Sequence, residues 1–249
     1  MVNTSWQKVG GWYKKTVGEL GLYYHQHVIL PNVGRLLNLK ASEKVIDLGC
    51  GTGILGRQIK NNSYLGVDLA PALIREAKKL DNNVNHKYII GDITSCLNIG
   101  ERFDWAVMLL VLQNLKNPGW AIKNASRVLR VRGKLLMVIN HPCFRIPKHS
   151  DWIVKNNRQC RTEDCYLSPQ EMVIETSPFD KKDNQISWTY HYPLSKISQM
   201  LTENNFWIEK IEEWVSDKKS VGGRAKIENR ARREFPLFMA IVAKCGIDS

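Results

Sequence analysis

The sequence lacks several features that define whole classes of protein. No run of 18 apolar residues is present, so no membrane-spanning helix is expected. The first residues do not combine a charged segment, an apolar core and a cleavage site, so we expect a cytoplasmic protein without a secretory signal. Acidic residues are scarce beside basic ones, 24 against 36, for a net charge of +12. With 249 residues and 43% hydrophobic content, the chain is nevertheless long enough to bury one substantial core.

Cysteine is also sparse, with six residues and no CxxC pair, so neither a disulfide framework nor a zinc ribbon is indicated. The one set that offers four zinc ligands comprises Cys143, His149, Cys160 and Cys165. Its spacing is irregular, and no metal is expected. Cys50 lies between glycines, where a small side chain suits packing rather than chemistry.

Residues 45–53 carry the strongest functional signal. An apolar run ends in Asp47, and glycines follow at the alternate positions 49, 51 and 53. Such glycines allow a tight turn whose backbone approaches a ligand without obstruction by Cβ atoms. A helix over 54–60 would point its N-terminus at the same place. The segment therefore predicts a cradle for a small ligand at the end of a strand.

The glycines alone fit two classes of ligand. Residues 51–56 also satisfy G-x-G-x-x-G, the spacing that binds dinucleotide pyrophosphates at a helix N-terminus. Asp47 favours the other class, because its carboxylate would repel a pyrophosphate and attract an ammonium or sulfonium group.

With Asp47 before it, this glycine pattern resembles motif I of the class I S-adenosylmethionine-dependent methyltransferases. The resemblance implies that S-adenosylmethionine is the cofactor and S-adenosylhomocysteine its product. It also implies an α/β, Rossmann-like, doubly wound sheet of seven strands in the order 3 2 1 4 5 7 6, mostly parallel with one antiparallel strand. The motif residues expected to bind the cofactor are Asp47, Gly49, Cys50, Gly51, Thr52 and Gly53.

Two further acids follow predicted strands. Asp68 lies about 20 residues beyond the glycine loop, a distance that suits an acid binding ribose hydroxyls, with Leu69 beside it. In the resembled family an acid at Asp92 accepts from the adenine amino group, and the next residue, here Ile93, flanks the ring. Leu110, at the end of the fourth predicted strand, completes the expected cofactor contacts. Asp92 alone also fits the role of a helix N-cap or turn residue.

Strands and helices alternate in the sequence, which predicts a doubly wound α/β sheet. Four parts are expected: a helical N-terminal cap (1–40), the cofactor-binding core (41–140), a substrate cap inserted after strand five (141–192) and the remainder of the sheet (193–249). The predicted strands are 64–67, 88–91, 103–110, 134–140, 206–214 and 236–244, with an edge strand at 185–192. The predicted helices are 71–80, 120–130 with a C-cap at Arg132 and Gly133, and 193–204.

The residues that would hold a methyl acceptor lie outside the common sheet. Tyr23, Tyr24 and His27 precede the glycine loop, and Phe144 and Tyr190 lie in the aromatic insertion after strand five. An insertion of this length at a ligand-binding edge is more often functional than structureless. Simple burial of the N-terminal helix explains the tyrosines almost as well.

His141 is the candidate general base, because it follows the fifth predicted strand at the ligand-binding edge. A loop histidine that hydrogen-bonds the backbone ahead of Pro142 is the competing interpretation. Methyl transfer from a sulfonium needs positioning and exclusion of water more than acid catalysis, so a base matters only for some acceptors.

Three functions fit the sequence. A small-molecule methyltransferase is favoured, because the chain resembles the ubiquinone-biosynthesis-type branch and its insertion is aromatic. An RNA or protein methyltransferase would use the basic segment 218–233 as a binding surface. A solvated loop is the favoured interpretation of that segment, because no aromatic residues for base stacking are interleaved within it. A noncatalytic cofactor-binding protein is the third interpretation. No feature of the sequence indicates an oligomeric state.

Overall fold

A computed structural model of the protein describes residues 21–175 and 186–246. Seven strands form its central sheet: β1 (Lys44–Leu48), β2 (Ser63–Asp68), β3 (His86–Ile90), β4 (Phe103–Leu109), β5 (Leu129–Asn140), β10 (Phe206–Trp214) and β11 (Phe238–Cys245). The strand order is β3-β2-β1-β4-β5-β11-β10. Strand β11 runs antiparallel to both of its neighbours, β5 and β10, and the other neighbouring pairs in this sheet are parallel. The expected fold, including the strand order, is confirmed.

The central strands are apolar on both faces because helices cover both sides of the sheet. In β4, Ala106 and Met108 join one buried cluster with the helices on one side, and Val107 joins the cluster on the other side. In β1, Ile46 and Val45 divide in the same way. This burial on both faces explains why the strands read as continuous hydrophobic runs.

Helices connect the strands on both faces of the sheet. They are α1 (Leu30–Leu37), preceded by a π-helical turn (His25–Ile29), then α2 (Pro71–Leu80), α3 (Gly119–Val128), α4 (Leu194–Thr202) and α5 (Ala225–Glu234). Helix α2 begins with Pro71, whose fixed φ suits the first turn. The first 20 residues of the predicted N-terminal cap lie outside the described residues. Within the described ranges, no helix is both long and apolar enough to cross a bilayer.

The helix predicted over residues 54–60 is wrong. Turns occupy this position, followed by a single 3₁₀ turn, Gly56–Gln58. Gly56 lowers the helix propensity of a segment that is already short. Ile59 has returned to an extended conformation. The glycine loop therefore does not face the N-terminus of an α-helix, and the helix-dipole argument does not apply here.

The helix C-cap predicted at Arg132 and Gly133 is also wrong, because α3 ends at Val128. The chain passes directly into β5, and its pairing shifts between Phe103 with Leu129 and Trp105 with Lys134. Arg132 takes φ 64 inside this irregularity. Arg132 is therefore a left-handed residue in a bulge within β5 and does not cap a helix.

Residues 141–192 contain two hairpins outside the central sheet. The first pairs β6 (Ser150–Lys155) with β7 (Arg158–Glu163), and the second pairs β8 (Gln170–Glu175) with β9 (Ile186–His191). The predicted strand at 185–192 corresponds to β9. We call these two hairpins the cap hairpins.

The basic segment 218–233 was expected to be a loop, but it contains most of α5. Ala231 is buried on the packed face of α5, and Arg232 faces Glu228 one turn earlier. Phe235, which ends the helix, packs edge-on against Trp152 of the first cap hairpin. Contact with the cap hairpin is the tertiary constraint that the composition of this segment did not reveal.

Candidate functional site

The loop after β1 turns sharply through its glycines. Gly49, Gly51 and Gly53 all have positive φ, at 88, 55 and 73°. The backbone N–H groups of Gly49 and Cys50 both donate to the carbonyl of Val67, at 2.8 and 3.0 Å. These bonds hold the loop against the end of β2, at the carboxyl edge of the parallel strands.

The glycines also make room for side chains of the protein itself. A Cβ atom on Gly49 would lie 2.6 Å from Val111, and one on Gly53 would lie 2.6 Å from the Tyr88 hydroxyl. The expectation that missing Cβ atoms admit a ligand therefore needs correction at these two positions. There the glycines are required by their conformation and by the packing of Val111 and Tyr88.

Asp47 is buried beside this loop and is only partly hydrogen-bonded. Tyr64 donates from its hydroxyl to Asp47 Oδ2 at 2.7 Å. Asp47 Oδ1 and Thr52 Oγ1 are buried without a partner among the described residues. Burial raises the pKa of Asp47 to about 7, with the Asp68 carboxylate adding to the rise. A cationic ligand group that donates to Asp47 would satisfy this site, so the residues fit the ammonium of S-adenosylmethionine.

Asp68 ends β2 and holds the loop through both of its oxygens. Oδ2 accepts from the Gly51 N–H and Oδ1 from the Ala70 N–H, each at 2.9 Å. Burial raises the pKa of Asp68, and these backbone bonds oppose the rise. Each carboxylate oxygen can accept more than one hydrogen bond, so Asp68 retains capacity for a ligand hydroxyl. Leu69 beside it is half-buried.

Asp92 follows β3 and closes a local turn. Its Oδ1 accepts from both the backbone N–H and the hydroxyl of Thr94, at 2.8 and 2.6 Å. Ile93 is buried in the core beneath the sheet edge. The structure thus gives Asp92 the turn-forming role that was the alternative for this acid.

Leu110, just past β4, has φ 55, a conformation that costs free energy for a residue with a Cβ atom. Two bonds hold it: its N–H donates to the Val138 carbonyl at 2.8 Å, and its carbonyl accepts from Asn114 Nδ2 at 2.9 Å. Such local strain concentrates at ligand-binding sites. Leu110 lies at the same sheet edge as the glycine loop, next to Val111, which packs against Gly49.

A small cavity of about 30 Å³ lies between the sheet edge and the second cap hairpin. Leu112 and Gln113 line it from the segment after β4, Asn140 from the end of β5, and Tyr190 from β9. The structure thereby brings the predicted Tyr190 close to the strand ends. The Tyr190 hydroxyl donates to Glu171 at 3.4 Å.

His141 is buried directly after β5, and both of its ring nitrogens have partners. Nε2 lies 2.6 Å from Glu213 Oε1, and Nδ1 accepts from the Cys143 N–H at 3.2 Å. This pattern places the ring proton on Nε2, facing Glu213. Burial lowers the pKa of His141, and Glu213 opposes that shift. Phe144 packs on the His141 ring at 4.9 Å between centroids.

The predicted N-terminal residues lie together, against the segment that follows β10. Tyr23 donates to Asp217 at 2.9 Å, and the Tyr24 hydroxyl lies 3.1 Å from Ser216 Oγ. His27 stacks on the Tyr23 ring at 4.2 Å. The Lys218 ammonium lies over Tyr23, 4.4 Å from the ring centroid. These side chains contact the start of the basic segment.

The four-ligand zinc set considered from the sequence is not assembled among the described residues. His149 and Cys165 instead lie with Asp164, their ligand atoms within 4.8 Å of one another. Asp164 and Cys165 are exposed, and His149 Nδ1 lies 2.7 Å from Asp164 Oδ1. This group is an exposed cluster on the cap, apart from Cys143 and Cys160.

Several residues of the site were missed from the sequence. Tyr64, Gln113, Arg145 and Glu213 carry no motif. Tyr64 and Glu213 bond to residues distant in the chain, and Gln113 Oε1 and Arg145 Nε have no hydrogen-bond partner among the described residues. Tyr64 offered one signal, since a buried tyrosine in a strand next to an acid usually has a hydrogen-bond partner. Cys50 is buried in the loop as expected, and burial raises the pKa of its thiol.

Comparisons with known proteins agree with this geometry. The sequence profile of the methyltransferase domain family matches residues 46–137. The ubiquinone biosynthesis O-methyltransferase of Coxiella burnetii is 30% identical over 112 residues, covering 43% of this chain and 47% of that protein. The demethylmenaquinone methyltransferase of Tropheryma whipplei is 28% identical over 114 residues, 43% of this chain and 46% of that protein. The chain therefore spans less than half the length of these curated relatives.

One solved structure shows how far the fold extends. An S-adenosylmethionine-dependent methyltransferase from Mesorhizobium loti has a TM-score of 0.65 with this chain at 20% identity, covering 95% of this chain and 97% of that one. The likeness includes the strands beyond the matched profile and therefore extends to the whole architecture. Residues 46–137 of this chain thus match the methyltransferase domain family, and the chain has the fold of the class I S-adenosylmethionine-dependent methyltransferases.

Proposed function

We propose that this protein transfers the methyl group of S-adenosylmethionine to a small-molecule acceptor bound between the sheet edge and the cap hairpins. The observation that carries the proposal is the cavity at this edge. Gln113 and Tyr190 line it, and Val111, two residues before Gln113, packs against Gly49 of the glycine loop. The segment that contains Val111 and Gln113 thus contacts both the glycine loop and the cavity.

The cofactor assignments follow from the hydrogen-bonding capacity that is left open. Asp47 would bind the cofactor ammonium through its unpartnered Oδ1, and Asp68 would accept from the ribose hydroxyls. Backbone and side-chain atoms of the glycine loop, including Thr52 Oγ1, would line the amino-acid end. Leu69, Asp92, Ile93 and Leu110 would surround the adenosine.

The remaining chemistry concerns water and orientation. When bound, S-adenosylmethionine supplies a methyl group on a sulfonium. The sulfur would leave as a neutral thioether, so the leaving group needs no acid. The residues of this chain would align the acceptor and keep water out, and the second cap hairpin would contribute where Thr189 and Tyr190 meet the segment after β4. His141 would act as a base only if its Nδ1 exchanged the Cys143 N–H for an acceptor proton.

The proposal is tested by isothermal titration of S-adenosylmethionine into the protein, with S-adenosylhomocysteine formation as the activity readout. We expect binding in the wild type and strongly weakened binding in Asp68→Ala. Because Asp68 also holds Gly51 and Ala70, Asp68→Asn serves as a second variant that keeps one acceptor oxygen. Asp164→Ala, on the exposed cap, is the matched control. Unchanged affinity in both Asp68 variants would remove Asp68 from the ribose role.

One observation favours a second candidate, methylation of RNA. The basic segment 218–233 lies against the cap and the N-terminal residues, since Lys218 contacts Tyr23 and Phe235 contacts Trp152. Binding of an RNA hairpin measured from 50 to 300 mM salt would reveal this function. Tight, steeply salt-dependent binding that disappears when Arg230 and Arg233 are neutralised would support RNA over a small molecule.

A further inference from the structure

Arg145 is a partly buried guanidinium that has no counter-ion in the described part of the chain. Its backbone N–H donates to the His141 carbonyl at 2.8 Å, which fixes it in the turn that follows β5. Its Nε is buried and has no hydrogen-bond partner in the described part of the chain, and no described carboxylate forms an ion pair with it. A buried charged donor left in this state is costly, so its retention calls for a partner.

A second residue that lines the same cavity also has an unpartnered polar atom. Gln113 Oε1 is buried and has no hydrogen-bond partner among the described residues. The Gln113 backbone is fixed, because its carbonyl accepts from the Thr189 hydroxyl at 3.1 Å. Arg145 and Gln113 both line the cavity of about 30 Å³. A donor and an acceptor that line one cavity indicate a polar ligand group that binds to both.

The charges around Arg145 favour an anion over a neutral group. Its pKa is lowered by burial and by the positive charge of Arg161. Burial also lowers the pKa of Arg161, but Glu163 and Asp151 oppose that shift, and Arg161 donates through Nε to the Phe144 carbonyl at 2.9 Å. Arg145 has no such carboxylate among the described residues, so it supplies the positive charge at this cavity.

The surrounding surface has the same sign. Helix α5 packs on the first cap hairpin through Phe235 and Trp152. The guanidinium groups of Arg145 and Arg161 both lie over the Trp152 ring, 5.8 and 5.0 Å from its centroid. The exposed basic residues of this region are Arg224, Lys226, Arg230 and Arg233. Such a field raises the local concentration of anions and speeds their capture.

We propose that Arg145 binds a carboxylate of the methyl acceptor and that Gln113 accepts a hydrogen bond from a hydroxyl or amino group of the same molecule. The inference rests on the proposed function and names its substrate class, a hydroxy or amino carboxylic acid. The cavity has a volume of about 30 Å³, which is room for one small polar group. A planar carboxylate matches a guanidinium through two parallel N–H···O hydrogen bonds.

The experiment measures binding to protein saturated with S-adenosylhomocysteine, by isothermal titration. The probes are 4-hydroxybenzoate and 4-aminobenzoate, each compared with its uncharged methyl ester, and phenyl phosphate. We expect the acids to bind and the esters to bind more weakly. Arg145→Gln should weaken binding of the acids by roughly 30-fold or more, with Arg145→Lys intermediate. Arg158→Gln, the same change at an exposed site on the cap hairpin, should leave the affinity unchanged.

The outcomes separate this inference from the proposed function. Equal binding of acids and esters, no binding of either acid, or full affinity in a folded Arg145→Gln would overturn the role of Arg145. Tighter, Arg145-dependent binding of phenyl phosphate would overturn the carboxylate assignment. Titration of S-adenosylmethionine into Arg145→Gln reports folding and cofactor binding, and we expect wild-type affinity. Failure of the wild type to bind S-adenosylmethionine would instead remove the proposed function.

Discussion

The hydroxyl of Tyr64 donates a 2.7 Å hydrogen bond to Oδ2 of Asp47, and both side chains are buried. Tyr64 lies on β2, the strand that ends at Asp68. This strand pairs with β1, which carries Asp47. The bond orients the Asp47 carboxylate and leaves its other oxygen, Oδ1, without a partner in the described structure. Tyr64 thus positions a group to which a cationic ligand can bind.

We expect Tyr64→Phe to lower the free energy of unfolding by about 1–3 kcal/mol, because the buried Asp47 carboxyl loses its one side-chain donor among the described residues. The affinity for S-adenosylmethionine should fall as well, since Asp47 would lose its fixed orientation. Denaturant unfolding and isothermal titration measure the two effects. Tyr88→Phe is the matched control, because the Tyr88 hydroxyl donates to Asp81 instead. Equal losses of cofactor affinity in both variants would contradict a special role for Tyr64.

The pKa of Asp47, raised to about 7 by burial and by Asp68, predicts an unusual pH dependence of stability. The folded state holds a proton that the unfolded state releases near pH 4, so between pH 4 and pH 7 the native protein binds more protons. The free energy of unfolding of the cofactor-free protein should therefore fall as pH rises through this window, by on the order of 4 kcal/mol from this group. Denaturant unfolding at pH 4 and pH 8 measures this fall.

Asp47→Asn should flatten that profile, because the amide does not titrate. Cofactor binding should show the opposite trend, tightening as Asp47 ionises between pH 5.5 and pH 7. Calorimetry in two buffers of different ionisation enthalpy would detect the proton released on binding. A variant that kept the wild-type pH profile of stability would show that another group titrates.

The parts of this site that could be predicted depend on local constraints. Gly49, Gly51 and Gly53 all adopt positive φ, and this need is visible in their alternate spacing. The acids Asp47 and Asp68 end apolar strands whose burial on both faces is visible in their composition. Helix α2 begins at Pro71 and ends at Leu80, as predicted.

The parts that could not be predicted depend on contacts between distant segments. The failed helix at 54–60 contains Gly56, where a Cβ atom would lie 2.4 Å from the Tyr88 hydroxyl. Helix α5 was mistaken for a loop because its packing partner is a cap hairpin about 70 residues earlier in the chain. Arg145 and Gln113 meet at one cavity only through the packing of β9 on the sheet edge. Contacts between residues this far apart in the chain cannot be recognised from the periodicity or spacing of the sequence.

Leu110 allows the cost of its left-handed backbone to be measured. Leu110→Ala and Leu110→Gly both lose the side chain, but only glycine takes φ 55 without a steric penalty. The glycine variant should therefore be more stable than the alanine variant, by about 1 kcal/mol. Denaturant unfolding measures the difference. Both variants should bind S-adenosylmethionine more weakly than the wild type if the leucine side chain contacts adenosine. An alanine variant as stable as glycine would show that the conformation relaxes at no cost.

Glu213→Gln separates two roles of His141. Glutamine still accepts from His141 Nε2 but removes the charge that supports a protonated ring, so the pKa of His141 should fall. If His141 only orders the start of the cap through Glu213 and Cys143, turnover should change by no more than about threefold, with the same pH–rate profile. A general base would lose far more, because the imidazolium formed during catalysis would lack its counter-charge. With both ring nitrogens already paired, we expect the smaller effect. Turnover that is slower by roughly two orders of magnitude, with a displaced acidic limb in the pH–rate profile, would assign His141 as the base.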